Sequence, residues 1–135
     1  MRSLMANNRT EQAIPALIDD WIDAICKGDI DRILANRTDD IVMYDVPEPI
    51  QVKGIDAYKD TWKLFFEHNE AGPDRFRLSD VQVVAGDDIA YVHGLLTIGG
   101  GDAHCRLTLG LRRIDGAWKV THEHHSIPIK LENPK

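Results

Sequence analysis

Cysteine is scarce in this chain, with Cys26 and Cys105 the only two in 135 residues. A disulfide framework is therefore not expected, and both fit the apolar patterns around them as small core residues. Positive charge is also short: 16 Lys and Arg face 22 Asp and Glu, for a net charge of −6. That balance excludes nucleic acid and anionic membrane as partners, because both select a basic surface. No apolar run approaches the ~18 residues of a membrane span. The polar start, Met1 to Thr10, carries no signal-peptide pattern, so a cytoplasmic location is the default expectation. Nucleotide, flavin and P-loop motifs are missing too. Gly99-Gly100-Gly101 stands between two expected strands, which makes it a hairpin loop rather than a phosphate cradle. No cofactor is expected.

What is present fits one domain. A chain of this length buries most of its unfolded surface, and 43% hydrophobic residues is a globular composition. Ile14, Leu17, Ile18, Trp21, Ile22, Ile25 and Cys26 recur at helical spacing, predicting a helix over 11–27 with Thr10 as cap and Gly28 as stop. Asp29 opens a short second helix to about Asn36. Residues 41–46 read as a strand that ends at Pro47-Glu48-Pro49. A third helix runs from about Gly54 to Asn69, with Tyr58, Trp62, Phe65 and Phe66 on one face. Four long alternating runs follow, over 75–85, 89–98, 103–114 and 118–128, separated by Gly-Asp turns. Residues 1–9 and 129–135 read as loose tails around a core of about 10–128. Helices first and a strand meander after them predict an α+β domain, with helices on one face of a long, bent, mostly antiparallel sheet.

Five segments carry a resemblance. They are 21–30 (WIDAICKGDI), 39–47 (DDIVMYDVP), 54–58 (GIDAY), 115–120 (DGAWKV) and 122–126 (HEHHS). Their order and spacing resemble the SnoaL-like, ketosteroid-isomerase-like branch of the NTF2-like (cystatin-like) superfamily. The resemblance implies a cone: about three N-terminal helices on a strongly curved sheet, with a pocket for a small organic molecule in the open end. Members of that superfamily include isomerases, cyclases, dehydratases and hydrolases as well as non-catalytic modules, so the fold leaves the activity open.

Asp45 ends the first strand before a proline turn. An aspartate there serves either as a turn cap or as a pocket acid or base. The resemblance to ketosteroid isomerase puts the catalytic base at this place. That enzyme's oxyanion hole is not reproduced: its tyrosine position falls at Trp21 and its acid at Thr108 or Leu109. Steroid isomerisation by that route is not expected. On the last strand, hydrophobicity alone would turn Trp118, Val120, His122 and His124 inward. The resemblance implies the reverse, with Glu123 and His125 lining the pocket. We adopt Asp45, His125 and Glu123 as candidate acid–base residues, and His125 read alone is equally a hydrogen-bonded structural histidine. The expected pocket wall is Trp21, Tyr44, Tyr58, Trp62, Phe66 and Leu109. On an ideal strand Tyr44 alternates away from Asp45 and enters the wall only through a bend.

By the same assignment Trp118, His122, His124 and Arg106 form an outer sheet face, through which the resemblance implies a homodimer. The pairing His122-x-His124, with His93 nearby, presents two imidazoles on one side, but spacing supplies no further ligand and no metal is expected. Two functional readings stay open. One is a cofactor-free acid–base enzyme acting on a small apolar carbonyl or hydroxyl compound. The other is a non-catalytic ligand-binding or oligomerisation module.

Overall fold

The computed structural model describes residues 4–132, with side chains from residue 12 onward. Three helices precede most of a single six-stranded sheet: α1 (Leu4–Lys27), α2 (Ile30–Leu34), β1 (Arg37–Tyr44), β2 (Val52–Lys53), α3 (Ile55–His68), β3 (Phe76–Ala85), β4 (Ile89–Ile98), β5 (Cys105–Ile114) and β6 (Ala117–Ser126). The strand order is β2-β1-β6-β5-β4-β3, and only the β1–β6 pair is parallel. The helix expected to start at residue 11 begins at Leu4, so Thr10 lies inside it rather than capping it, and residues 4–9 are helical instead of a loose tail. Asp29 does cap α2, accepting a hydrogen bond from the Arg32 amide. Strand β2 is too short for a sequence pattern to reveal. Residues 1–3 and 133–135 of the expected tails lie outside the described residues, and 127–132 have no regular structure. Among the described residues, no helix is long and apolar enough to cross a membrane.

The core lies between the helices and one face of the sheet. The side chains Ile14, Ile18, Trp21 and Ile25 of α1 and Tyr58 and Trp62 of α3 meet Leu96, Leu107, Leu109, Leu111 and Val120 from the strands. Trp21, Trp62 and Phe76 pack edge to face, with centroids 5.5–6.1 Å apart.

Two bulges give the sheet its bend. Strands β4 and β5 keep strict period-two alternation: Ala90, Val92, Leu96, then Cys105, Leu107, Leu109 and Leu111 all face inward. Strands β3 and β6 do not. In β3, Ser79 pairs with Leu95 and Gln82 with His93, so Asp80 and Val81 together oppose Gly94. Asp80 takes φ 55°, and the inward set changes from Phe76 and Leu78 to Val83 and Ala85. In β6, Val120 pairs with Leu111 and His122 with the adjacent Gly110, leaving Thr121 as the extra residue. Each bulge shifts the pleat by one residue and so exchanges the two faces beyond it.

The β6 bulge resolves the two opposed readings of that strand. Trp118 and Val120 face inward before it, and Glu123 and His125 face inward after it. Trp118 is only 6% exposed, beneath the Arg113 guanidinium, and so does not belong to the outer face on which strict alternation with His122 and His124 had placed it. His122 is half-buried, and His124 and Arg106 are exposed on that outer face, as expected.

Candidate functional site

Strand β1 enters the core with a charge. Arg37 lies opposite Val120, and Val42 lies opposite His122, so five steps along β1 match two along β6. The surplus residues, including exposed Asp39 and Asp40, loop outward, while Arg37, Ile41 and Met43 stay buried. Arg37 is sealed in with its guanidinium 4.5 Å from the Trp21 ring centroid.

Such a cation needs partners, because a buried unpaired charge is very costly. Arg37 Nη2 donates to Glu123 Oε1 at 3.0 Å, and its Nε donates to the Tyr58 hydroxyl at 3.0 Å. The Tyr58 hydroxyl in turn donates to Glu123 Oε1 at 2.9 Å. The other carboxylate oxygen, Oε2, accepts from His125 Nε2 at 2.6 Å. Glu123 is fully buried, and its two oxygens are taken up by three donors. Burial alone would raise its pKa, but the hydrogen bond from His125 and the charge of Arg37 outweigh that and hold it at about 2. Burial alone would discharge His125. Side-chain hydrogen bonds with Cys105 and Glu123, and the charges of Glu123 and Asp45, instead push it up to about 10. The imidazole is therefore an imidazolium at neutral pH. Burial pushes the Tyr58 phenol upward, so it remains a neutral donor.

Of this cluster, His125 reaches the wall of the cavity at the open end of the cone. The cavity measures about 570 Å³, large enough for a drug-sized organic molecule. Its apolar lining comes from Val52, Leu64, Phe65, Ile98 and Ile127. The polar side chains include Asp45, Thr61, Asn69, Cys105 and His125. A narrow inner recess of about 60 Å³ runs past Asp45 and His125 to Trp62, Phe76 and Glu123. Asp45 stands at the strand end where β1 passes into the Pro47 turn, and its Oδ1 accepts from the Val46 amide at 2.8 Å. It is a local cap and a cavity-lining acid at once.

The structure thus brings Asp45 and His125 to the cavity and Glu123 and Trp62 to its inner recess, and leaves the other expected residues outside both linings. Tyr44 points to the outer face, where its ring meets His122 and His124 with centroids at 4.9 and 5.3 Å. Its partner across the ladder is His124, while Met43 pairs with Glu123 and faces in, so β1 does not bend enough to bring Tyr44 round. Trp21, Tyr58 and Leu109 are core residues, at 2%, 0% and 0% exposure. Phe66 packs beside Trp62 and leaves the wall to Phe65. The helical stripe held that possibility, since Thr61, Leu64, Phe65 and His68 form the strip of α3 next to the buried Tyr58 and Trp62. Arg37, which anchors the whole cluster, had no signal in the sequence. Among the described residues, no three His, Cys, Asp or Glu side chains gather as a metal site requires.

Comparison with known proteins agrees with this geometry. An NTF2-like protein of unknown function from Pseudomonas putida KT2440 superposes with a TM-score of 0.84 at 36% identity, over 93% of this chain and 91% of that one. A cystatin-like fold protein of unknown function from Nostoc punctiforme PCC 73102 gives 0.73 at 16% identity, over 90% and 92%. A ketosteroid isomerase-like protein from Erwinia carotovora atroseptica SCRI1043 gives 0.66 at 23% identity, over 87% and 95%. No curated protein matches the chain in sequence. Residues 14–130 match the SnoaL-like domain, a span that takes in α1 from residue 14, the other two helices, the bulged sheet and every cavity residue named above. With its cone, its open-ended cavity and that match, the chain belongs to the SnoaL-like family of the NTF2-like superfamily.

Proposed function

We propose that the protein binds a small, mostly apolar carbonyl compound and moves a proton on it without a cofactor. The observation that carries this reading is the pairing of two roles on one cavity wall. His125 is an imidazolium fixed by a buried carboxylate, and Asp45 is an acid that lines the same space. Asp45 accepts a proton from the carbon next to the carbonyl, and the C–H electron pair passes into an enolate. The enolate oxygen accepts a hydrogen bond from His125, and Asp45 returns the proton to carbon. Arg37, Glu123 and His125 together carry one surplus positive charge, which faces one negative charge throughout: first on Asp45, then on the enolate. Glu123 acts through His125 and does not touch the reacting atoms.

Ligand binding without turnover is the second reading. It is favoured by the fate of the positions that the resemblance matches to the steroid isomerases' oxyanion hole, since Trp21 and Leu109 are sealed in the core, Thr108 is exposed on the other face, and none of the three lines the cavity.

The test is α-deuterium exchange of small cyclic and aryl ketones in D₂O, followed by NMR. The acid–base reading expects catalysed exchange that drops by about 10²–10⁴-fold in Asp45→Asn. Saturable ketone binding with no exchange above background would reject it in favour of the binding module.

A further inference from the structure

Cys105 is a cavity residue whose chemistry the proposed proton transfer leaves unused. It opens β5 and faces inward on the same side as Leu107, the ladder partner of His125. Sulfur and imidazole are thus diagonal neighbours on one face of the sheet, within reach of each other. The Cys105 thiol donates to the Arg106 carbonyl at 3.7 Å, and His125 Nε2 is held by Glu123 at 2.6 Å. Nδ1 is the ring nitrogen that the bond to Glu123 leaves available to a molecule in the cavity. A nucleophile, an imidazole beside it on the same face and a carboxylate orienting that imidazole are the three parts of a thiol site. The carboxylate is itself fixed by Arg37 and Tyr58. Cys105 is only 4% exposed yet lines the 570 Å³ cavity, so the cavity is its route to small molecules.

We infer that Cys105, His125 and Glu123 form a thiol addition site, at which the cavity captures small α,β-unsaturated carbonyl compounds as covalent adducts. The sulfur forms a bond to the β carbon, and the C=C π pair moves to the enolate, whose oxygen accepts a hydrogen bond from the His125 ring. The proton lost by the sulfur is matched by one gained at the α carbon. The product is a saturated carbonyl thioether, and no oxidant, reductant or metal is consumed. The apolar wall of Leu64, Phe65 and Ile98 suits the carbon skeleton of such a ligand. Cys26 is the internal control. It is half-buried on α1, its thiol donates to the Phe76 carbonyl at 3.6 Å, and it lies outside this cavity.

The experiment is intact-mass and peptide-mapping analysis of the whole protein treated with cyclohex-2-enone. Cys105 is expected to label at least about tenfold faster than Cys26. Excess cyclohexanone, which fills the same space but has no acceptor carbon, should slow Cys105 and leave Cys26 unaffected. His125→Gln should slow Cys105 by about tenfold or more. Labelling of Cys26 as fast as Cys105 would overturn the inference, as would a folded His125→Gln variant that labels at the wild-type rate. If that variant does not fold, the cyclohexanone result on the wild-type protein decides, and no protection of Cys105 overturns the site. The readout needs no turnover. Labelling without deuterium exchange leaves this site standing and removes proton transfer, and exchange without labelling does the opposite.

Discussion

His125 Nε2 and Glu123 Oε2 are 2.6 Å apart, two residues along one strand, and both side chains face the core side of the sheet. The same carboxylate also holds Arg37, so one buried anion fixes two cations. Removing it leaves both in a place that water reaches poorly.

Glu123→Ala should therefore cost about 3–5 kcal/mol in chemical denaturation, the usual penalty for breaking one side of a buried ion pair. Glu123→Gln, which keeps the shape and part of the hydrogen bonding, should cost less. Equal, sub-kilocalorie losses for the two would mean that the cluster is not the keystone of the inner wall.

Stability should depend on pH on both flanks of neutrality. Glu123 is lowered from 4.5 to about 2, so its contribution is present above the unfolded value and is lost as pH falls from 4.5 toward 2. His125 is raised from 6.5 to about 10, so its contribution is full below 6.5 and is lost as pH rises from 6.5 toward 10. Urea midpoints should fall from pH 6 to pH 10, and His125→Gln should flatten that limb. An NMR titration placing the His125 midpoint near 6.5 would contradict the assignment.

Gly94 is required by the β3 bulge. A Cβ built there would lie 3.2 Å from the Ser79 carbonyl oxygen and 3.3 Å from Val81 Cγ2. Gly94→Ala should destabilise by about 1–3 kcal/mol, as overpacking does. Gly100→Ala, where a Cβ meets nothing within 4 Å, serves as the control and should lie within about 0.5 kcal/mol of wild type.

The outer face of the sheet exposes Tyr44, Tyr91 and Leu95 beside His124 and Arg106, with His122 half-covered and its Nδ1 donating to the Val42 carbonyl at 2.7 Å. A second copy of the chain is the occupant expected for this surface. Sedimentation equilibrium at micromolar concentration should give a dimer, and Tyr44→Lys should shift it to monomer. A wild-type monomer throughout would remove that expectation.

The main elements were legible because their patterns are long. Period 3.6 in α1 and α3, period two in β4 and β5, and Gly-Asp turns between strands all survive in the fold. The cavity acids Asp45 and His125 became visible only through resemblance, because neither position is distinguishable by pattern from a turn cap or a core histidine. Two features left no trace. Arg37 is one arginine among several before a strand, and only the fold turns it inward. The bulge at Thr121 carries no marker residue, so alternation had to be read as unbroken and forced a choice between Trp118 inside and Glu123 inside, when both are.

The extra residue in β6 divides the strand into two halves that can diverge separately. The Trp118–Val120 half closes the core, and the Glu123–His125 half equips the cavity, each with its own phase. Substitutions in the second half can change chemistry without disturbing the first. A change in length cannot, because losing one residue between Val120 and Glu123 would turn the cavity's ionic groups to solvent all at once. This stretch of chain should therefore drift in composition among relatives while keeping its residue count.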